Sequence, residues 1–175
     1  MGRGIELKCS KCRYSFGNNF GVGFLFPQTY QETMEAARKG KLGKDVQSFL
    51  VEHPDGALDC DQVLLQCTSC SEMDRGMDLT MYVPKDKSDV YEGEWSIACS
   101  FGGVSYVAPW VLKEQYRLVK PYDHVCRKCG KKMRIIKEED LVFEGQEYKG
   151  TDMEVNVNCP KCHKPMVIGG CLMWD

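Results

Sequence analysis

A small α+β chain, rich in short strands and organised around paired cysteines, is the fold class that the sequence predicts. Three observations predict it. Eight of the eleven cysteines fall in four Cys-x-x-Cys pairs. Short segments of alternating apolar residues stand beside those pairs, and the stretch between the first two pairs carries helical periodicity.

The pairs are Cys9/Cys12, Cys67/Cys70, Cys126/Cys129 and Cys159/Cys162. Secreted disulfide scaffolds and metalloproteins are both rich in cysteine, but repeated two-residue gaps fit metal turns better than adjacent disulfides. Zinc takes four soft ligands in a tetrahedron, at about 2.3 Å from each sulfur. Two cysteines on one tight turn fill two corners, and a second turn fills the other two. The expected cofactor is Zn2+, two ions per chain, held by all eight of these residues. Neighbouring order in the sequence pairs Cys9/Cys12 with Cys67/Cys70, and Cys126/Cys129 with Cys159/Cys162; interleaved pairing of the four turns uses the same residues. Iron is a minor alternative at the second site, since rubredoxin-like turns have a similar separation. The aromatic residues expected beside such a turn are missing from Gly130-Lys131-Lys132-Met133.

The C-terminal ribbon is placed at residues 121–175. Gly130 stands just past Cys129, where a backbone turning around a metal often needs positive φ, and Pro160 fixes φ inside the Cys159 turn. Met133 to Ile136 and Glu154 to Asn158 alternate as strands do, with Val155 and Val157 on one face. The N-terminal ribbon, residues 1–83, carries a helical insertion over about 27–52. Pro27 suits a helix start, Tyr30, Met34 and Ala37 share a face, and Gly40 is a stop. A second helix over Lys44 to Glu52 turns Val46, Phe49 and Leu50 inward, and His53-Pro54-Asp55-Gly56 breaks it. Gln62 to Gln66 leads into Cys67 as a buried strand, and Gly21 to Phe26 reads as a turn and buried strand. The length of the insertion is no obstacle, because loop-closure entropy grows by only about 0.6 kcal/mol per doubling of length.

A β-rich connecting segment, residues 84–120, joins the two ribbons. Asp78 to Val83 reads as a strand, and Pro84 to Asp89 as a polar turn. Trp95 to Cys99 and Val104 to Val107 read as two further strands. Pro109 to Val119 fits either a short helix or an extended segment. The aromatics Trp95, Tyr106 and Trp110 are expected in the core rather than on a base-stacking platform. Cys60 lies between Asp59 and Asp61, which disfavours a thiolate, and Cys99 is in an apolar context, so neither reads as a nucleophile. Cys171 can substitute as a ligand but reads as a small buried side chain. His124 and His163 are expected near metal without binding it.

Composition and motifs bound the function. With 43% hydrophobic residues and no stretch apolar enough to span a membrane, the chain is expected to be soluble. The start MGRGIELKCS has no signal-peptide core, and Glu6 stands where a myristoylation motif wants Ser or Thr; a cytoplasmic location follows as an expectation. There is no His-Glu-x-x-His, P-loop lysine or Gly-x-Ser-x-Gly elbow. Closed four-cysteine sites leave no open metal position, so no enzyme is expected. A thiol–disulfide oxidoreductase remains as the enzymatic reading, but its Cys-x-x-Cys normally stands alone. Arg127, Lys128, Lys131, Lys132, Arg134 and Lys137 form a basic cluster that either contacts nucleic acid or another partner, or offsets thiolate charge. The formal charge of −2, falling to about −6 with two loaded sites, works against non-specific nucleic-acid binding.

The four pairs resemble the zinc-ribbon superfamily. The run from Cys9-Ser10-Lys11-Cys12 to Gly23-Phe24-Leu25-Phe26-Pro27 resembles uncharacterised bacterial proteins with two four-cysteine zinc ribbons. That resemblance implies metal binding and carries over no catalytic residue. The expected function is a non-enzymatic scaffold or adaptor that contacts an unidentified protein partner, with nucleic-acid binding as the alternative and no membrane partner.

Overall fold

The structure, a computed structural model, describes residues 2–85, 106–141 and 154–174. The strands expected over Trp95 to Cys99 and at Val104, together with Cys99 itself, lie outside the described residues. The arrangement is strand-rich α+β, with three α-helices among the described residues. None of the helices is long and apolar enough to cross a membrane.

The chain divides into two compact units that do not follow the sequence divisions at 83/84 and 120/121. The first comprises Met1–Gly23, Gln62–Met77 and Asp123–Asp175; the second comprises Phe24–Asp61 and Asp78–Tyr122. All four Cys-x-x-Cys turns belong to the first unit.

The first unit contains two sheets. One has the order β2-β1-β10-β9, from β1 (Gly2–Lys8), β2 (Ser15–Phe20), β9 (Glu154–Asn158) and β10 (Pro165–Trp174). The other has the order β5-β4-β8, from β4 (Gln62–Cys67), β5 (Met73–Met77) and β8 (Met133–Ile136). All the pairings are antiparallel. Ile5, Leu7, Phe20, Val155, Val157, Met166 and Ile168 of the first sheet pack against Leu64, Met73 and Ile136 of the second in one core. Val63 and Leu65, on the opposite face of β4, join Cys67, Cys126 and Met133 in a second cluster. Burial on both faces is why Val63-Leu64-Leu65 reads as an unbroken apolar run. Gly169 is passed over between the pairs Glu6↔Gly170 and Leu7↔Ile168, forming a bulge where β10 bends.

The expected strands Met133–Ile136 and Glu154–Asn158 both exist, but they belong to different sheets rather than to one hairpin. β8 pairs with β4 rather than with β9, and β9 pairs with its sequence neighbour β10, which in turn joins it to β1.

In the second unit, α1 (Phe26–Arg38) buries Phe26, Tyr30, Thr33, Met34 and Ala37, with Pro27 in its first turn. It stops where Lys41 N–H bonds Ala36 O and Gly40 N–H bonds Ala37 O, a Schellman end in which Gly40 has φ 74°. The helix α2 (Lys44–Glu52) buries Val46, Phe49 and Leu50, as its pattern predicts. Phe26 opens a helix rather than ending a strand, so Phe24 and Leu25 stand exposed in a turn instead of in the buried strand expected there.

The strand β6 (Met81–Pro84) starts three residues later than its apolar pattern suggests. Asp78 takes the Thr80 N–H on its carboxylate and Leu79 sits at φ 61°, which breaks the extended run. β6 lies between β3 (Ala57–Leu58) and β7 (Tyr116–Lys120). The ambiguous segment resolves into both forms, α3 (Pro109–Gln115) followed directly by β7. Leu112 and Tyr116 are buried, whereas Trp110 is 52% exposed and is no core residue.

Candidate metal centres

The four cysteine turns share one backbone geometry. In each, the first cysteine's N–H bonds the carbonyl five residues on: Cys9 to Tyr14, Cys67 to Glu72, Cys126 to Lys131 and Cys159 to Lys164, all at 2.8 Å. The residue after the second cysteine donates back to the first cysteine's carbonyl. That residue is left-handed in every turn, at Arg13 (φ 59°), Ser71 (57°), Gly130 (70°) and His163 (58°). The positive φ expected at Gly130 is therefore present, and three residues with side chains adopt the same conformation. Flanking strands hold the turns: β1 and β2 the first, β4 and β5 the second, β9 and β10 the fourth. The third has β8 on one side and a Val125↔Lys132 bridge across it.

The turns converge in two groups of four, Cys9, Cys12, Cys159 and Cys162, and Cys67, Cys70, Cys126 and Cys129. Neighbouring-order pairing is thus overturned. The arrangement is nested, first turn with fourth and second with third, because β1 pairs with β10 and β4 with β8. The cysteines expected to form one site at the C-terminal end sit in different groups. Within each group all the sulfurs lie within 4.8 Å of one another. The cross-turn contacts are Cys9 Sγ to Cys162 Sγ and Cys12 Sγ to Cys159 Sγ, both 3.4 Å, with Cys67 to Cys129 at 3.4 Å and Cys70 to Cys126 at 3.7 Å. A disulfide needs about 2.0 Å. Four sulfurs at 2.3 Å from a tetrahedral ion stand about 3.8 Å apart, so the donors fit a metal ion such as zinc. No histidine or carboxylate belongs to either group among the described residues.

Backbone amides prepare the first cysteine of each N-terminal turn for negative charge. The N–H of Cys12 holds the Cys9 thiol down at about 6, against the opposing effect of burial and with help from the Lys11 N–H. The N–H of Cys70 does the same for Cys67, also to about 6, and the N–H groups of Ser69 and Cys70 both stand 3.4 Å from its sulfur. Cys12 is pushed up to about 12: the Tyr14 N–H pulls it down, but burial and the neighbouring thiols outweigh that contact. Cys129 rises to about 12 in the same way, the Lys131 N–H being outweighed by the Cys67 thiol and burial. A cation brought among these sulfurs displaces the remaining protons and takes their place.

A polar bridge ties the two groups together. Buried Gln66, just before Cys67, donates through Nε2 to the carbonyl of Asn158, just before Cys159, at 2.7 Å. Arg134 donates to Gln66 Oε1 at 2.8 Å and also bonds Asn156 O. His163 Nδ1 lies 3.3 Å from Ser71 Oγ, so residues at equivalent places in two turns meet.

The basic cluster is largely engaged at the surface of the same unit. Lys128 pairs with Glu72 at 2.7 Å, which raises its ammonium above the usual range, and Lys132 pairs with Asp123 at 2.7 Å. Arg127 reaches Asp74 at 3.8 Å, and Lys131 is exposed. The Lys137 N–H bonds the Asp140 carboxylate. Cys60 is buried in the second unit, where burial and Asp59 raise its thiol, and Cys171 is exposed rather than buried and belongs to neither group.

Reasoning from sequence missed the nesting and the Gln66 bridge. A weak signal was present: apolar residues four and two positions before the first cysteine recur as Ile5/Leu7, Val63/Leu65 and Val155/Val157, marking equivalent hairpins. The signal does not say which hairpins pair. The two groups are zinc-ribbon-like in spacing and proximity. Compared with protein-family models, curated proteins and solved structures, the chain matches none.

Proposed function

We propose that the chain is a zinc-stabilised, non-enzymatic cytoplasmic scaffold that mediates protein–protein contacts, with both cysteine groups acting as structural zinc sites. One observation carries this reading. Among the described residues each group consists of four cysteines alone, and each joins stretches far apart in sequence, 147 to 153 residues for one and 56 to 62 for the other. Four thiolates fill the tetrahedral coordination of zinc and leave no position for a water or substrate, so the ion supports a fold rather than a reaction. A redox role fits poorly with dithiols locked into groups of four.

The engagement of Lys128, Lys132 and Arg134 by protein partners favours charge compensation near the thiolates over a nucleic-acid surface. A protein partner is the better reading of an acidic chain in which Lys128 and Lys132 of the basic cluster are paired with carboxylates. Elemental analysis of protein purified without chelator tests the metal reading: two zinc ions per chain are expected, iron would replace zinc in the account, and no metal would overturn it. Crosslinking in cells followed by nuclease treatment tests the adaptor role. Adducts that survive nuclease support it, and adducts consisting of nucleic acid alone contradict it.

A further inference from the structure

Away from the cysteine groups, the first unit has a groove of about 380 Å³ on the β2-β1-β10 sheet, bordered by β5. Its floor is unusual in what it lacks. Glu6 pairs across the sheet with Gly17 on one side and Gly170 on the other, so the central row offers one side chain flanked by two bare positions. In the next row, Leu172 folds over Gly4, its Cδ1 lying 3.2 Å from where a Cβ would stand. Leu172 is nevertheless 64% exposed and forms an apolar lip.

Arg75 borders the groove. Its Nε donates to Gly17 O at 2.8 Å and its guanidinium lies 5.5 Å from the centre of the Phe16 ring. These two contacts fix the plane of the guanidinium and leave its terminal NH2 groups uncommitted to either. One of them sits 4.0 Å from the Cβ position of Gly17, over the bare floor. Among the described residues Arg75 makes no ion pair, whereas the Glu6 carboxylate is already paired with Lys8 at 3.0 Å. Among the described residues the groove therefore presents one uncompensated cation, held in a fork suited to two parallel hydrogen bonds, beside exposed apolar surface. Its volume lies within the range of about 300–1,000 Å³ common for small-ligand sites.

We propose that this groove binds a small amphiphilic anion. The oxyanion, carboxylate or phosphate, sits on the terminal N–H groups of Arg75, and a short apolar body lies over the glycine floor against Leu172. The site is separate from both cysteine groups and does not depend on the scaffold reading. Gly17 supplies room beneath Arg75 that a side chain would take away, whereas the space over Gly170 is shared with Glu6, whose Oε2, paired with Lys8, lies 3.7 Å from where a Cβ would stand.

The test titrates the full chain, purified with its metal, with hexanoate, hexyl phosphate and hexanol, and follows the backbone amide signals of Gly17, Gly170 and Leu172. Saturable shifts are expected with at least one of the two anions and none with hexanol; which anion binds more tightly identifies the oxyanion. Arg75→Gln should weaken binding at least tenfold, about 1.4 kcal/mol, and Gly170→Val should abolish it, with metal content per chain unchanged in both. Absence of saturable shifts with either anion overturns the proposal, as does equal binding of hexanol or unchanged affinity in Arg75→Gln. Should either variant lose its metal, the comparison of anions with hexanol on the unaltered chain decides.

Discussion

Gln66 is one side chain in contact with both cysteine groups' supporting turns. It is 2% exposed, donates to Asn158 O and accepts from Arg134, so its amide is satisfied on both ends. Replacing it with leucine keeps the volume but removes the donor to the Asn158 carbonyl and one of the two acceptors of Arg134, leaving it Asn156 O. A loss of about 1–3 kcal/mol is expected, read from the denaturant midpoint of the metal-loaded protein. A second residue-scale prediction concerns alkaline pH. Burial, with Asp59 beside it, raises the Cys60 thiol, and burial raises the Tyr30 phenol. Groups whose values rise on folding contribute their stability below their unfolded values, about 8.5 and 10, and lose it as pH climbs past them. Stability should therefore fall as pH rises above about 8.5. In Cys60→Ala the first part of that fall should be absent, as a series of urea titrations against pH will read. The raised Cys60 thiol was legible in part, from Asp59 and Asp61, while its larger cause, burial, was not; nothing in the sequence marks Gln66, because its partner lies 92 residues away.

At the scale of the element, the four cysteine turns are the repeated unit. Each needs a left-handed residue after its second cysteine, and Arg13, Ser71 and His163 adopt that conformation without being glycine. None of them is β-branched. At Gly130, with φ 70° and open space around the Cβ position, valine meets no clash but must bear the left-handed penalty of about 1–2 kcal/mol; asparagine should cost less. Thermal denaturation of Gly130→Val and Gly130→Asn checks the order. Helices were the most legible elements, since α1 and α2 bury the residues that their 3.6-residue spacing names and stop at the expected places. Legibility ended where a local contact competes with pattern. Asp78 captures Thr80 and delays β6, and Phe26 enters α1 with Pro27 rather than finishing a strand.

Across the whole molecule, the eight paired cysteines were legible and their partnership was not. Cys-x-x-Cys spacing is set within one turn, but which turns meet is set by β1 finding β10 and β4 finding β8, pairings that local pattern does not encode. The nested order places all four turns in one compact unit made of three separate stretches of chain, in place of two ribbons following one another. Such a unit has its cores sealed by the cysteine turns themselves, with Cys9 and Cys159 in one cluster and Cys67 and Cys126 in the other. Chelation is therefore expected to open β1, β4, β8 and β10 together, seen as loss of amide hydrogen-exchange protection in those four strands and its recovery when zinc is restored.

Counting metal in paired cysteine variants tests the central claim, two nested closed centres, most directly. Cys9→Ser with Cys159→Ser damages one centre, so one zinc ion per chain should remain. Cys9→Ser with Cys67→Ser damages both, so none should remain. The reverse outcome, one ion kept by the Cys9/Cys67 pair and none by the Cys9/Cys159 pair, would restore pairing by neighbouring order and contradict the account.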